Sequence, residues 1–557
     1  MKRTIIQLSF GLGMLAFAAG CQDHLWDDHY GIDGSTETRT LMQVLESRPE
    51  YSAFCEVVRI QGLDSLLSTD QTFTVWAPTN EAMAGYVEDA DTKDQFLNNH
   101  ISRYLYGMVD LADTASVRVR MLNGKSQDYV REGGAYTFAG VPVEATDIAA
   151  GNGIIHTLRQ RAPFYYNLYE SIRQKDNGTD SIARFLTSFD EYTFDEEGST
   201  AIGKNEQGQI LYDSIFDFNN DWLRRYGFLH SEDSVYTMIV PTNEGWEDGR
   251  RRMARYFRTF GETLKDTVKS LIIPDREYAV GTALADSLSD TYLKQAMCMD
   301  LVFRKDLDFG DVPGDSLAST SGNVFHHPSY LLSGATEVPV SNGRIWKTSA
   351  LKHKPEESWL KTIVVEAENT AGRESNYAVI SSRSASSTSF RDSVSEGRFI
   401  EVAATSENPR QQPVVQFTVP NTLAAKYNVY CVFAPAGAYM EGVAADSTKV
   451  NFYLNYVHED GRMYEDAVIA GPMPTHGETM TKMFVTQIEL PYANYSESPF
   501  EGPLTQDDDC VKLRVQANVD RNETTKFTRT MRIDCLIFEP VIAVSYTHLR
   551  AHETDQY

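Results

Sequence analysis

Residues 73–83 read FTVWAPTNEAM, and residues 236–246 read YTMIVPTNEGW. Each holds Pro-Thr-Asn-Glu behind an apolar run: Pro78, Thr79, Asn80 and Glu81 in one, Pro241, Thr242, Asn243 and Glu244 in the other. Phe73, Val75 and Ala77 alternate with Thr74 and Trp76, a pattern that predicts a strand covered on both faces. Proline stops the ladder because it has no N–H to donate. Thr79 or Asn80 then accepts from the first free amides of a helix, and Glu81 lies near the positive end of that helix. The phrase encodes strand, stop and capped helix. Nothing in it activates a nucleophile, so it reads as scaffold. A unit duplicated at this distance predicts tandem domains, since solenoid repeats run about 20–50 residues.

A second landmark follows each phrase. Residues 152–158 read NGIIHTL and residues 342–348 read NGRIWKT. Asn-Gly marks a turn, and the residues after it suit a strand. Asn80 and Asn243 are 163 positions apart, while Asn152 and Asn342 are 190 apart. The later copy therefore carries about 27 extra residues, which are expected in a surface loop or an added helix.

These two boxes resemble those of the fasciclin-like adhesion domain. The resemblance is clear over residues 36–162 and divergent over 163–355, just over half of the chain together. It implies tandem α+β domains, each a β-sandwich flanked by helices, acting in adhesion or extracellular ligand binding. Many members carry a Tyr-His pair between the boxes. The matching stretches here are FLNNHISRYLYG, with Asn99-His100, and AMCMDLVFR, with Met299-Asp300. His100 is the ligand-contact candidate that this resemblance leaves. The other reading, which the residues favour, is a histidine satisfied by a backbone carbonyl, and His156 reads the same way.

The amino terminus bears on compartment. Lys2 and Arg3 precede an apolar run ending Phe17-Ala18-Ala19-Gly20-Cys21. Charge order, length and small-residue exit match a secretory signal over 1–20, too short for a spanning helix. The residues before Cys21 resemble a bacterial lipoprotein cleavage box, which implies lipidation of Cys21. Each buried CH₂ of such a chain adds about 0.8 kcal/mol of anchoring. Asp23, Asp27 and Asp28 lie in an acidic tether, 21–35, that resembles the surface-export signal of Bacteroidetes lipoproteins. It implies an outer-membrane lipoprotein facing the exterior; a periplasmic acidic tether is the alternative.

The chain has 557 residues and a net charge of −27. Its length allows three or four domains, and its charge disfavours nucleic acid and anionic lipid surfaces as partners. Beyond Cys21, the cysteines Cys55, Cys298, Cys431, Cys510 and Cys535 have no CxxC spacing, so a zinc site is not expected. Cys510 with Cys535 is the disulfide pair we select, in a compartment that permits one. Residues 544–557 begin VSYTHLRAHET, which resembles a translated sequencing-adapter frame and is not expected to belong to the fold.

Residues 360–543 form a third region of short strands: TIVVEAEN, PVVQFTVP, YNVYCVFAP, KVNFYLNYV, KMFVTQIEL, CVKLRVQAN and MRIDCLIFEP. Their spacing predicts an all-β sandwich. The opening VVEAEN and the closing RIDCLIFEP resemble the ends of jelly-roll carbohydrate-binding modules. That resemblance implies a structural calcium held by Glu366, Glu368 and Asp534; the alternative leaves both glutamates facing solvent. Oxygen ligands from the two chain ends suit a hard cation. Tyr439, Tyr492 and Tyr495 are the candidate sugar platforms.

No GxSxG, HExxH or phosphate-cradling loop is present, so no catalytic residue is assigned and the chain is not expected to be an enzyme. The expected function is a cell-surface lipoprotein binding an extracellular glycan or protein. An accessory or cryptic enzyme of a polysaccharide-uptake system is the alternative.

Overall fold

The computed structural model describes residues 37–86, 93–107, 112, 114–204, 210–268, 274–307, 315–387, 389–467, 472–494 and 511–542. The signal segment, Cys21, the acidic tether and the tail from Val544 lie outside them. The chain divides into two compact units. One comprises residues 1–171, 230–235 and 339–343; the other comprises 172–229, 236–338 and 344–557. Among the described residues no helix is long and apolar enough to cross a membrane.

In the first unit the two landmarks are neighbours. Strand Phe73–Pro78 runs parallel to Gly153–Leu158, with Phe73 opposite Gly153 and Pro78 opposite Leu158. They sit inside a seven-stranded sheet, flanked by Ile101–Ser102 on one side and by Val141–Ala150 on the other. Every residue of both strands is buried. The two faces meet different cores. Phe73, Val75 and Ala77 pack with Leu41, Leu45, Phe54 and Val58 of two short helices. Trp76 and Leu158 pack with Tyr129 and Phe138, the Trp76 ring stacking on Phe138 at 4.2 Å. This is the two-sided burial that the residue alternation predicts.

After Pro78 the chain turns as the phrase requires. Thr79 caps a single helical turn, its hydroxyl accepting from the Ala82 N–H. Asn80 reaches elsewhere: its Oδ1 accepts from the Ala53 N–H at 2.9 Å and its Nδ2 donates to the Pro49 carbonyl at 2.8 Å. It thereby fixes the start of helix Ser52–Ile60. Asn152 similarly accepts from the Leu41 N–H at 2.7 Å and donates to the Leu67 carbonyl at 3.0 Å.

The second phrase occupies the same local setting. Strand Tyr236–Pro241 lies between Val302–Arg304 and Gly343–Thr348 in a four-stranded sheet. Thr242 caps helix Asn243–Met253. Asn243 Oδ1 accepts from the Ser181 N–H at 3.0 Å, at the start of helix Asp180–Thr187. Asn342 accepts from the Leu168 N–H at 2.8 Å, as Asn152 does from Leu41.

The hydrogen bonds correct the expected alignment between the boxes by one residue. The Trp76 N–H donates to the His100 carbonyl, and the Ile239 N–H to that of Leu301. Thr74 Oγ1 donates to the Tyr104 carbonyl at 2.8 Å, and Thr237 Oγ1 to that of Lys305 at 2.9 Å. Asp300 therefore stands where Asn99 stands, and Leu301 where His100 stands. Both polar residues are buried organisers. Asn99 Oδ1 accepts from Gln127, and Asp300 accepts from Ser319 and Asn323.

The extra residues of the second copy lengthen its helices, Asn243–Met253 against Asn80–Met83 and Ala283–Cys298 against Lys93–Asn98, and add one further element. The interval from Asn80 to Ile101 is 21 residues and that from Asn243 to Val302 is 59. It contains a β-hairpin, Thr263–Val268 with Pro274–Tyr278. The hairpin joins the sandwich, Arg276 pairing with Met463 and Glu277 with Arg462. A β-hairpin is hard to recognise here because its strand sequences, TLKDTV and PDREY, are charged and carry little apolar alternation.

The sandwich has two sheets. One holds Ala378–Ser384, Arg398–Ala404, Met531–Pro540, Lys426–Phe433 and Thr481–Glu489, with Ile363–Glu366 on Met531–Pro540. The other runs from the hairpin through Arg462–Ala467, Lys449–Val457, Val511–Ala517 and Val414–Val419 to Arg373–Asn376. Val450, Phe452, Leu454, Phe417, Leu513 and Val515 are buried. Tyr456, expected on the same face as Val450, is only half-buried at the end of that row.

Candidate functional site

The opening and closing strands of the sandwich are antiparallel partners, with Glu366 opposite Cys535. The ladder ends at Glu366, and the Ala367 N–H donates to the Asp534 carbonyl at 3.0 Å. One ligand atom each from Glu366, Asp534 and Cys535 lies within 4.8 Å of the others. A turn at Ser395–Gly397 closes over them, with Glu396 at φ +49°. Its Ser395 N–H donates to both Asp534 oxygens, at 3.1 and 3.2 Å, and its hydroxyl donates to Glu366 Oε1 at 2.6 Å.

The electrostatics of this cluster are unbalanced. Glu366 Oε2 and Glu368 Oε2 are buried and have no hydrogen-bond partner. Burial, then the charges of Glu366 and Glu368, push Asp534 up to about 7 against the opposing Ser395 N–H. Burial also raises Glu366. Like charges this close disfavour one another's ionisation, and a hard divalent cation reverses that preference. The unpartnered carboxylate oxygens fit such an ion. Glu366 and Glu368 are therefore half-buried rather than free in solvent. Glu368 contributes charge but is not one of the three closest groups.

Cys535 is the member that sequence reasoning missed. It carries a buried thiol. Burial and the neighbouring carboxylates push that thiol up to about 12. Its place opposite Glu366 depends on strand register, which spacing does not reveal. Cys510, its expected disulfide partner, lies outside the described residues.

The outward face of the second sheet has a different chemistry. Gln416, Arg514 and Tyr453 lie across one row of neighbouring strands, and Thr418, Lys512, Asn455 and Glu465 across the next. The Arg514 guanidinium stands 3.7 Å from the Tyr453 ring centroid and grips Glu465 through two bonds, at 2.8 and 2.5 Å. Gln416 Oε1, Asn451 Oδ1 and both amide atoms of Asn455 are buried without partners. Buried amides normally find partners, so four such atoms on one face mark it as unusual.

The remaining sequence candidates are placed as follows. His100 is 0% exposed, its Nδ1 facing the Phe96 carbonyl at 2.7 Å and its Nε2 accepting from the Ala162 N–H at 3.0 Å. Burial lowers its pKa to about 4. It is a structural residue that no ligand reaches. His156 is likewise buried, with its Nε2 on the Tyr106 carbonyl. Tyr492 is 4% exposed and packs with Phe260, Tyr278 and Val457, so it is core rather than a platform. Tyr439 is half-buried beneath the Arg383 guanidinium and beside Phe399. Tyr495 and Cys21 lie outside the described residues.

Comparison with known proteins fits the first unit. Residues 49–160 match the Fasciclin domain model. Transforming growth factor-beta-induced protein ig-h3 of Sus scrofa is 28% identical over 154 residues, which is 24% of this chain and 22% of that protein. Protein sll1483 of Synechocystis sp. is 28% identical over 128 residues, 22% of this chain and 71% of its own length. The chain thus spans about a fifth of the vertebrate relative. Among solved structures, a FAS1 domain pair from the insect cell adhesion molecule fasciclin I covers 56% of this chain and 99% of its own, at 14% identity and a TM-score of 0.20. A xylan-binding domain from CBM 22 covers 32% and 96%, at 13% identity and a TM-score of 0.19.

Proposed function

We propose that this protein is a surface lipoprotein that binds extracellular ligands without transforming them. Cys21 carries the acyl anchor. Residues 36–162 and 163–355 are two fasciclin-like bodies, the second divergent. The sandwich is the glycan-binding part, and Glu366, Glu368 and Asp534 hold a calcium ion that staples its first strand to its last. The outward sheet face around Tyr453 carries this reading. Amides, a paired guanidinium and carboxylate, and one ring are the groups that meet sugar hydroxyls and the apolar faces of sugar rings.

The test is affinity electrophoresis of the purified chain in gels containing a panel of neutral and acidic polysaccharides. Retardation by at least one of them is expected. Tyr453→Ala should abolish it while shifting the melting temperature by less than about 4 °C, the change that about 1 kcal/mol makes in a body this size. Depolymerisation of the retarding polysaccharide would point instead to a cryptic enzyme. Unchanged retardation of Tyr453→Ala would remove this face from the account.

A further inference from the structure

A cavity of about 280 Å³ lies in the second unit, between the turn that precedes strand Val324–His326 and the start of the sandwich. Its lining includes Arg225, Thr320, Asn323, Trp359 and Lys361, and no aspartate or glutamate. In a chain with 78 acidic and 51 basic residues, this wall carries two cations and no acid.

The cation is held in place by neutral groups. Lys361 Nζ donates to Asn323 Oδ1. Asn323 cannot turn its amide over, because its Nδ2 donates to Asp300 Oδ2 at 2.8 Å. Asp300 is itself buried and saturated, accepting also from Ser319, Ser321 and Ser358. The carboxylate behind the wall thus orients the amide oxygen toward the ammonium without supplying a direct partner. Two further buried atoms of lining residues lack acceptors: the indole Nε1 of Trp359, a residue only 8% exposed, and the hydroxyl of Thr320. An anion answers the ammonium, and an oxygen-rich ligand answers the idle donors. Ser358 gives its proton to Asp300, so its lone pairs remain for a ligand hydroxyl, while Ser321 Oγ, which also donates to Asp300, already accepts from the Asn323 N–H at 3.4 Å.

We propose that this cavity is a second ligand site, one that receives a uronic-acid residue, with its carboxylate on Lys361 and Arg225 and its hydroxyls on the serine and amide wall. The aromatic residues Tyr226, Trp359 and Tyr427 in the lining suit the apolar face of a pyranose. A peptide carboxylate would use the cation but leave the hydroxyl acceptors idle.

Isothermal titration calorimetry of the intact chain with sodium D-galacturonate, D-glucuronate, D-galactose and a capped peptide bearing a free C-terminal carboxylate tests this. Saturable binding of a uronate is expected. It should be at least tenfold tighter than that of galactose or the peptide and should weaken as salt rises. Lys361→Met and Trp359→Phe, which keep length and ring, should each weaken it tenfold or more, while Tyr453→Ala leaves it unchanged. Absent uronate binding, equal binding of galactose or the peptide, or insensitivity to both substitutions would overturn the proposal. Saturation-transfer NMR on Trp359→Phe with its melting curve unchanged separates a lost contact from a lost fold.

Discussion

His100 shows what a buried histidine does for this fold. Its two nitrogens are committed to backbone groups, so the native state keeps it neutral. The unfolded chain protonates near pH 6.5, whereas the native state resists until about 4. The stability from this group is therefore complete above about 6.5 and is lost as pH falls toward 4, by up to about 3 kcal/mol. His156 is lowered by the same cause. Urea denaturation at pH 7.0 and 4.5 should show the loss, and His100→Gln should flatten it by about half; an unchanged slope would refute the assignment. Asp534 makes the opposite kind of prediction. Calcium at a hundredfold excess over its Kd should stabilise the chain by about 2.7 kcal/mol. Asp534→Asn should abolish that response while raising the melting temperature of the chelator-treated protein, because one of the crowded charges is gone. Differential scanning calorimetry with and without chelator decides it. The resemblance at the two chain ends led to Glu366 and Asp534, which lie together, while Glu368 stands outside the closest group. The sequence did not indicate that Cys535 joins Glu366 and Asp534, because that depends on which residue of the last strand faces Glu366.

At the scale of elements, the Pro-Thr-Asn-Glu phrase was legible almost completely. Strand, stop, threonine cap and the two buried faces all follow from residue alternation and from proline's missing donor. What was not legible was the reach of the asparagine. Asn80 and Asn243 each bind the start of another helix, 27 and 62 residues earlier in the chain. Local pattern carries no information about such a partner. Asn243→Ala should cost about 1–3 kcal/mol, since it leaves the Ser181 N–H without its acceptor. Thermal denaturation checks this, and a cost below 0.5 kcal/mol would show the bond to be dispensable. The outward face of the second sheet was half legible. Alternation in KVNFYLNYV marks the inward residues, but Gln416, Arg514 and Tyr453 become neighbours only through strand order.

For the whole molecule, two predictions separate anchoring from folding. Cys21→Ala should release the chain from the membrane fraction into the soluble fraction with its melting curve unchanged, as cell fractionation and calorimetry would show. Retention in the membrane fraction would end the lipoprotein reading. Excision of residues 356–542 should yield a protein that self-associates on size-exclusion chromatography. It would leave hairpin strand Pro274–Tyr278 as an open sheet edge and uncover Phe260, Tyr278 and Val280. A monodisperse fragment with full stability would contradict the role assigned to the hairpin.

That hairpin has a mechanical meaning. Two bodies linked by a single covalent crossing swivel about it. Here the second phrase-bearing body and the sandwich share both the crossing and a ladder, sealed by the Tyr278 N–H on the Gly461 carbonyl at 2.8 Å. A pull on the sandwich is therefore carried along two parallel routes, the covalent crossing and the ladder.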